Sequence, residues 1–264
     1  MTLRLVNSIK DSFEKLLEKI NTCLSDDKSK KDYFVTYTIA FLIVAFFVFL
    51  TFIILNKSLV WEKDGLVQHL KAYIYYGEYL REIIENLIVK HKIIIPDWDF
   101  YISEGNDILT TLHYYVIGDP LTLLTVFIPS KYMHYFYSLL NVFRLYIAGF
   151  SFSLLCFGTN QKNKYGILAG SLSYAFCVWA LINAARHPFF LIPMTLFPLM
   201  VLGIEKIIQG NKPYLFIVVS ALSALSNFYF FYMIVLLSIL YAFVRLGFLY
   251  SKNIIGGGYY YCEC

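Results

Sequence analysis

The stretch FVTYTIAFLIVAFFVFLTFIIL, Phe34–Leu55, decides the fold class. Its 22 residues carry no charged side chain, and at about 1.5 Å per residue a helix of this length covers the roughly 30 Å hydrocarbon core of a bilayer. The rest of the chain agrees, since 59% of its 264 residues are hydrophobic, more than the roughly 45–50% of soluble domains. The sequence therefore predicts an integral membrane protein and excludes a soluble enzyme.

Further apolar stretches bring the prediction to about six transmembrane helices in an all-α, polytopic fold. Three of them, each bounded by polar or charged residues, are Tyr132–Phe157, Tyr165–Ala184 and Pro188–Ile208. Tyr214–Phe243 carries no charge and is too long for one span, so we expect two short helices that meet near Ser226 and Asn227. Together the spans form a transmembrane module over residues 33–250.

The distribution of basic residues predicts the orientation of the spans. Seven Lys and Arg residues precede the first span. The later stretches that fall on the same side contain Lys162, Lys164, Lys206, Lys212, Arg245 and Lys252. Because basic loops remain in the cytoplasm, we expect a cytoplasmic N-terminus. The loop of residues 56–131, with ten acidic against seven basic side chains, then lies outside the cell.

The two ends of the chain differ from the transmembrane module. Residues 1–32 place apolar side chains among charges of both signs, which favours an amphipathic helix on the inner membrane surface; a solvated lead-in fits nearly as well. Residues 251–264 end in GGGYYYCEC, which has no helical periodicity. We expect an irregular tail at which a longer chain has been truncated. The three glycines lack the strand-to-helix context of a phosphate loop. We also expect no nucleic-acid partner.

The first candidate site lies at the start of the outer loop. Gly65–Val89 repeats apolar residues at a spacing of three and four, which predicts an amphipathic helix on the outer surface. Asp64 comes just before this helix, where a carboxylate often caps a free backbone N–H. The alternative is a general base, because a carboxylate at the membrane–water boundary, close to Gln68 and His69, can deprotonate an acceptor hydroxyl.

Three more polar residues of the outer loop are candidates for substrate binding: Glu104, Asn106 and Asp119. The first two belong to SEGND, which is also an ordinary turn sequence. Asp119 and Pro120 interrupt the apolar run Thr110–Ile128, so we expect two short helices around a polar kink. Because irregular backbone at membrane depth normally lines a cavity rather than facing lipid, the sequence predicts a groove here.

Asp97 and Asp99 form a DxD triplet that could bind a metal ion. Hard cations prefer carboxylate oxygens, but such triplets often occur by chance. The five cysteines form no convincing zinc motif. We therefore expect no cofactor, and a divalent cation at Asp97 and Asp99 is the alternative.

Arg144, Arg186 and His187 complete the candidates for substrate binding. Arg144 lies midway along the second span, where a guanidinium is costly and needs a partner or a wet cavity; a purely structural role explains it equally well. Arg186 and His187 precede Pro188 at the predicted outer start of a span, and a helix N-terminus with such neighbours can bind phosphate. A charged flank at the membrane surface is the simpler alternative.

The order of these features resembles the YfhO family of polytopic bacterial membrane proteins, which are similar to GT-C glycosyltransferases. The collinear stretches that carry the resemblance are SLVWEKDGLVQH, WDFYISEGND, YYVIGDPLTLLTVFIP, NVFRLYIAG, RHPFF, PLMVLGIEKII, NFYFFYMI and YAFVRL. They run from about Tyr33 to Leu246. Full-length members of the family are longer, with further spans and an outer domain.

This resemblance implies an enzyme of the bacterial cell membrane that transfers a sugar from a polyprenyl-phosphate donor. The acceptor would be a cell-envelope polymer such as lipoteichoic acid, on the outer face. GT-C enzymes use an acidic residue of the first outer loop as base, and Asp64 matches it. Arg144, or Arg186 with His187, would stabilise the phosphate leaving group. A lipid or sugar-lipid transporter and an inactive fragment are the alternatives.

Overall fold

The computed structural model describes residues 29–256 except residue 103, together with residues 14, 15, 18, 21, 22 and 24. The regular secondary structure of this part of the chain is helical apart from one small hairpin, so the all-α fold is confirmed. The α-helices are α1 Lys30–Ile54, α2 Leu70–Lys90, α3 Ile108–Leu112, α4 Met133–Gly158, α5 Lys164–Ala175, α6 Val178–Arg186, α7 Leu191–Ile208, α8 Tyr214–Ser226 and α9 Phe228–Gly256.

Shorter elements occupy the outer loop and the start of α7. Two π-helical turns are Gly65–His69 and His113–Ile117, and three 3-10 segments are Pro120–Phe127, Ser130–Tyr132 and Pro188–Phe190. The hairpin pairs β1 Trp98–Asp99 with β2 Asn106–Asp107 in antiparallel register. The short helices on either side of Asp119 match the polar kink that the sequence predicts.

Five helical segments of the described chain are long and apolar enough to cross a membrane: Lys30–Ile54, Ser130–Gly158, Lys164–Arg186, Pro188–Ile208 and Phe228–Leu249. A polytopic membrane protein is therefore confirmed. The predicted sixth span corresponds to α8, which has only 13 residues, whereas α9 has 29. The break between them falls at Asn227, as predicted, because its backbone is extended and its side chain accepts the N–H of Phe230 at 3.2 Å.

The outer loop covers the end of the short helix α8. His113 lies with Nε2 2.8 Å from the carbonyl oxygen of Leu225. The backbone of Gly118 approaches so closely that a Cβ atom there would lie 2.3 Å from the carbonyl oxygen of Ser226. Carbonyls at a helix end lack partners within the helix, and here the outer loop supplies contacts to them.

The structure describes part of each end of the chain. A capping box of Ser29 and Asp32 begins α1 at Lys30, before the charge-free stretch. The predicted amphipathic segment of residues 1–32 lies largely outside the described residues, although Leu24 within it is buried. Helix α9 continues to Gly256, and residues 257–264 of the predicted tail lie outside the described residues.

The loops with basic residues lie at one end of the helix bundle. There Gln209 donates to the carbonyl of Gly158 at 3.0 Å, and Arg245 pairs with the buried Glu205 at 2.7 Å. The outer loop packs at the opposite end. The loops predicted to be cytoplasmic thus share one end of the molecule, and which end faces the cytoplasm remains a prediction.

The outer loop packs on the first half of α4 and forms a second hydrophobic core. Its buried side chains are Ala72, Tyr73, Tyr76, Ile108, Leu112, Val116, Met133, Tyr137 and Leu140. Helix α2 is amphipathic, but its two halves differ. Tyr73 and Tyr76 in the first half are buried in protein, whereas Ile84, Leu87 and Ile88 in the second half are exposed. The predicted apolar stripe is therefore divided between the protein core and the outer surface.

Candidate functional site

Asp64 faces two of the other predicted site residues. Its backbone is already helical, with φ −59° and ψ −39°, and its side chain forms no capping hydrogen bond, so the interpretation as a helix cap is wrong. Asp64 Oδ2 instead lies 3.5 Å from His187 Nε2 and 3.8 Å from Arg186 Nη2. The structure therefore brings together an acid and two basic groups that are more than a hundred residues apart in the chain.

Gly65 allows this close approach between the outer loop and α6. A Cβ atom at Gly65 would lie 3.0 Å from the carbonyl oxygen of Ala185. The same oxygen accepts hydrogen bonds from the backbone N–H of Trp61, at 3.3 Å, and from the hydroxyl of Tyr137, at 3.2 Å. The outer loop is thus attached to the C-terminal end of α6, directly before Arg186 and His187.

Arg186 and His187 belong to the end of one helix rather than to the start of the next. Arg186 is the last residue of α6, and His187 connects it to the 3-10 turn Pro188–Phe190. This differs from the predicted anion site at a helix N-terminus, because the helix dipole at a C-terminus attracts cations. The Arg186 side chain is 45% exposed and stacks over Trp61 at 5.8 Å. Any anion here would be bound by side-chain charge.

His69 lies buried beneath His187. Its Nε2 is 3.1 Å from His187 Nδ1, and its ring contacts Tyr115 and Phe189. Burial lowers the pKa of His69 to about 4, and the His187 imidazole adds to this effect. Burial also lowers the pKa of His187, against the opposing influence of Asp64. Both imidazoles are therefore neutral at pH 7.

The π-helical turn Gly65–His69 explains why Asp64 and His69 face the same neighbour. In an α-helix, five residues at about 100° each would place these side chains about 140° apart. In the structure the N–H of Leu70 bonds to the carbonyl of Gly65, five residues earlier. This spacing adds one residue to the turn and brings the two side chains closer to one face. Gln68, by contrast, is exposed, and its Oε1 accepts the hydroxyl of Tyr115 at 3.1 Å.

Arg144 is buried and fully engaged with protein groups. Its Nε donates to Asp119 at 3.0 Å, Nη1 to Asn141 at 2.7 Å, and Nη2 to Tyr73 at 2.8 Å and also to Asp119. Since a guanidinium has five N–H groups, little capacity remains for a phosphate. The predicted partner of Arg144 is thus Asp119, itself a candidate and only 5% exposed, and the geometry favours a structural role for both.

Asn141 connects this buried ion pair to the site around Asp64. Its amide Nδ2 donates to the carbonyl of Ala184, at 2.6 Å, while its Oδ1 accepts from Arg144. The ion pair is therefore one hydrogen-bonded residue away from the end of α6 that presents Arg186 and His187. Arg144 is therefore linked to the end of α6 through Asn141.

A cavity of about 210 Å³ lies beside the ion pair. Asp119 and Arg144 form its polar wall, and the remaining side chains are mostly aliphatic: Leu121, Ile147, Ile192, Leu196 and Leu222. It opens where the 3-10 segment Pro120–Phe127 meets the helices, which is the position of the groove that the sequence predicts.

The remaining candidates lie on the hairpin. Glu104 and Asn106 are exposed, and Asn106 Oδ1 accepts the backbone N–H of Asp107. Among the described residues, no hydrogen bond or ion pair joins Glu104 or Asn106 to Asp64 or to Arg144. The structure therefore does not assemble these two residues with the rest of the predicted site.

Asp99 has a structural partner. Its carboxylate accepts the hydroxyl of Tyr75 at 2.6 Å, which holds the hairpin against α2 and keeps the pKa of Asp99 below its usual value. Among the described residues, no group of three His, Cys, Asp or Glu side chains is arranged to bind a metal ion.

Sequence reasoning did not identify Gly65, Tyr73, Tyr137 or Asn141 as parts of the site. Asn141 offered a signal, because an amide three residues before Arg144 lies on the same face of a helix and polar residues within spans are costly. The roles of Gly65 and Tyr137 depend on contact with Ala185, which no local pattern predicts.

Comparison with known proteins agrees with this architecture. A family model described as "Bacterial membrane protein YfhO" matches residues 36–257, which include the whole site. The chain is also 33% identical over 94 residues to the "Uncharacterized protein YfhO" of Bacillus subtilis (strain 168). That alignment covers 33% of this chain and 11% of the relative's length. No solved structure matches the chain.

Proposed function

The chain belongs to the YfhO family of bacterial membrane proteins, and we propose that it is a glycosyltransferase of the bacterial cell membrane. It takes a sugar from a polyprenyl-phosphate donor and transfers it to a cell-envelope polymer such as lipoteichoic acid. The reaction takes place on the outer face of the membrane, and the N-terminus of the protein lies in the cytoplasm. The observation that carries this proposal is the position of Asp64, whose carboxylate faces Arg186 and His187 at the end of the bundle opposite the basic loops.

Asp64 is the general base in this reaction. Its carboxylate takes the proton of the acceptor hydroxyl while that oxygen forms a bond to the anomeric carbon of the sugar. The bond between this carbon and the phosphate oxygen breaks, and polyprenyl phosphate leaves with the electron pair. The side chain of Asp64 is 31% exposed, so an acceptor can reach it from the outer side.

Arg186 stabilises the leaving phosphate, whereas His187 faces Asp64 with one ring nitrogen and His69 with the other. Arg186 is exposed enough to contact a ligand and is always charged. An arginine placed where negative charge develops lowers the barrier of group transfer. Arg144 has a different role from the one that the resemblance implies, because its donors are occupied by Asp119, Asn141 and Tyr73. It holds the end of α6 in place.

The cavity beside Arg144 suits an apolar part of the donor. Its lining is mostly aliphatic, as an isoprenoid chain requires, and the network through Asn141 places it near the end of α6. A donor with its chain toward this cavity would present its phosphate near Arg186.

The test is sugar transfer in membrane vesicles that contain the 264-residue chain. The donor is undecaprenyl phosphate carrying a radiolabelled hexose or N-acetylhexosamine, and purified lipoteichoic acid is the acceptor. We expect Asp64→Asn to lower the rate by about 10²-fold or more, the usual contribution of a positioned base. Glu62→Gln is the matched control, because Glu62 is an exposed carboxylate two residues away, and its rate should equal that of the wild type.

Three results would contradict the proposal in different ways. Sugar transfer that persists in Asp64→Asn would show that Asp64 is not the base, although the protein would still be a glycosyltransferase. Movement of the labelled lipid across the bilayer without transfer would favour a sugar-lipid transporter. Absence of both, with the chain correctly inserted, would favour an inactive fragment.

A further inference from the structure

Two histidines of the site contact each other directly, and one of them cannot reach substrate. His69 is 1% exposed, and its Nε2 lies 3.1 Å from His187 Nδ1. The second nitrogen of His187, Nε2, lies 3.5 Å from Asp64 Oδ2. The three groups thus form a row in which His187 lies between a buried imidazole and an exposed carboxylate.

The positions of the protons in this row follow from its geometry. A neutral imidazole has one donor and one acceptor nitrogen, so the contact between the rings permits two arrangements. In the first, His69 Nε2–H donates to His187 Nδ1, and His187 presents its Nε2–H to Asp64. In the second, His187 Nδ1–H donates to His69, and the lone pair of His187 Nε2 points at the carboxylate.

The first arrangement is the more stable one. The second arrangement places a lone pair against the negative charge of Asp64. It also puts a proton on His69 Nδ1, a buried atom without a hydrogen-bond partner. An unpaired buried N–H costs about 1–3 kcal/mol. The first arrangement avoids the repulsion and leaves only an acceptor lone pair at that position.

We propose that His69 is a positioning residue that fixes the tautomer of His187. The Nε2–H of His69 donates to His187 Nδ1, so the N–H proton of His187 must lie on Nε2, where it faces Asp64. His187 then presents this N–H to the carboxylate of Asp64 and favours one orientation of it. The catalytic consequence rests on the proposed function, in which Asp64 is the base, whereas the tautomer itself does not depend on it.

The surroundings of His69 suit this role. Tyr115 and Phe189 contact its ring, with centroids 5.3 Å away in both cases, and so limit its rotation. The ring of Phe189 also lies 5.8 Å from that of His187. Packing against Tyr115 and Phe189 therefore fixes the orientation of the His69 ring relative to the His187 ring. The hydrogen bond that one ring nitrogen makes then determines which nitrogen carries the proton.

Two substitutions separate the hydrogen bond from the packing. His69→Gln keeps an N–H donor near the position of Nε2, whereas His69→Phe keeps an aromatic ring between Tyr115 and Phe189 but removes the donor. The measurement is ¹⁵N NMR of histidine-labelled protein in lipid nanodiscs, which distinguishes protonated from unprotonated ring nitrogens. His187→Asn identifies the His187 signals by their loss.

We expect His187 to be protonated at Nε2 in the wild type and in His69→Gln. In His69→Phe, a measurable share of the proton should move to Nδ1, although Asp64 still favours Nε2. If transfer is active, kcat in His69→Phe should fall by about tenfold or more with KM changed by less than about threefold, and His69→Gln should recover most of the loss. His69→Leu replaces His69→Phe if the larger ring prevents folding.

A His187 that stays protonated only at Nε2 in His69→Phe would overturn the inference. So would a wild-type His187 protonated at Nδ1. Both results can be read without any sugar transfer. Failure of the proposed enzyme activity and failure of this tautomer assignment are therefore distinguished by the same set of proteins.

Discussion

At the scale of single residues, Gly65 is the position where one added methyl group should disturb the site most. A Cβ atom would lie 3.0 Å from the Ala185 carbonyl and 3.2 Å from Trp61 Cβ, so the turn that presents Asp64 must move away from α6. We expect Gly65→Ala to destabilise the protein by about 1–3 kcal/mol, as overpacking usually does. Because the shift of the turn separates Asp64 from His187, we also expect a lower rate of sugar transfer. Thermal unfolding in detergent and the transfer assay measure the two effects.

The control for this substitution is Gly166→Ala. Gly166 lies in α5, and a Cβ atom there would make only ordinary contacts of 3.5 Å or more with Asn163. Alanine is a better helix former than glycine by about 0.5–1 kcal/mol, so this variant should be as stable as the wild type or more so. Equal stability of both variants would refute the role given to Gly65.

The buried His69 predicts a dependence of stability on pH. The titratable groups that face it are His187, Asp64 and Arg144. Its pKa is lowered from 6.5 to about 4, so between these values the unfolded chain binds a proton that the folded protein does not. Stability is therefore lost as pH falls through this range and is fully present above about pH 6.5. The pKa difference corresponds to about 3 kcal/mol.

Thermal unfolding at pH 7.5, 6 and 5 checks this prediction. His69→Gln cannot be protonated at this position, so its unfolding temperature should fall less than that of the wild type over the same interval. Parallel curves for the two proteins would show that His69 does not titrate as its burial requires.

Sequence patterns indicated most of the charged residues of the site but not their neighbours. Asp64, with His69 near it, is a candidate as a carboxylate at the membrane boundary, and Arg186 and His187 are candidates as basic groups at a predicted helix start. Their contacts join residues 118 or more positions apart, which no local pattern encodes. Asp64 was also expected to be a helix cap, an interpretation that fails because the π-helical turn begins with its backbone already helical.

At the scale of secondary-structure elements, the buried pair of Arg144 and Asp119 should hold α4, the outer loop and, through Asn141, the end of α6. Removing one member leaves an uncompensated charge, which costs about 3–5 kcal/mol, whereas removing both often costs much less. We expect Arg144→Met alone to be strongly destabilising and the double variant Arg144→Met with Asp119→Leu to recover part of the loss. A double-mutant cycle from unfolding in detergent measures the coupling.

Additive effects of the two substitutions would contradict this account. Glu205→Gln with Arg245→Gln offers a comparison at the other end of the bundle, where the pair joins α7 to α9 and the arginine is 40% exposed. Because that guanidinium is partly solvated, its coupling should be smaller than that of the buried pair.

The helices themselves were predictable because uncharged stretches of about 20 residues have few alternatives in a membrane. The outer loop was harder. Its amphipathic pattern correctly indicated a helix over Gly65–Val89, but the same pattern cannot distinguish a face that packs on protein from one that faces lipid. In α2 the apolar residues of the first half pack on protein, and those of the second half are exposed.

At the scale of the whole molecule, the positive loops predict which end faces the cytoplasm. We expect a cysteine at position 104, in the exposed turn of the hairpin, to react with a membrane-impermeant maleimide in intact cells. A cysteine at position 211, in the loop before α8, should react only after permeabilisation. Both Glu104→Cys and Asn211→Cys are made in a chain whose five native cysteines are replaced by serine. The reverse labelling pattern would invert the topology and place Asp64 in the cytoplasm.

The overall arrangement was predictable up to the number of full spans. Charge and hydropathy placed the basic loops together and the outer loop at the other end, and contacts such as Gln209 to Gly158 agree. The break at Asn227 was predicted but the length of α9 was not, because this helix continues beyond the uncharged run Tyr214–Phe243 to Gly256.

The short α8 has a consequence for the membrane around the protein. Its 13 residues extend about 20 Å, against roughly 30 Å of hydrocarbon, and His113 and Gly118 cover its outer end. Hydrophobic mismatch of this kind costs a fraction of a kcal/mol per Å and is relieved where lipids have shorter chains. We expect the bilayer to be thinner beside α8, so that lipids on this side of the protein have their headgroups below the level of the surrounding membrane surface.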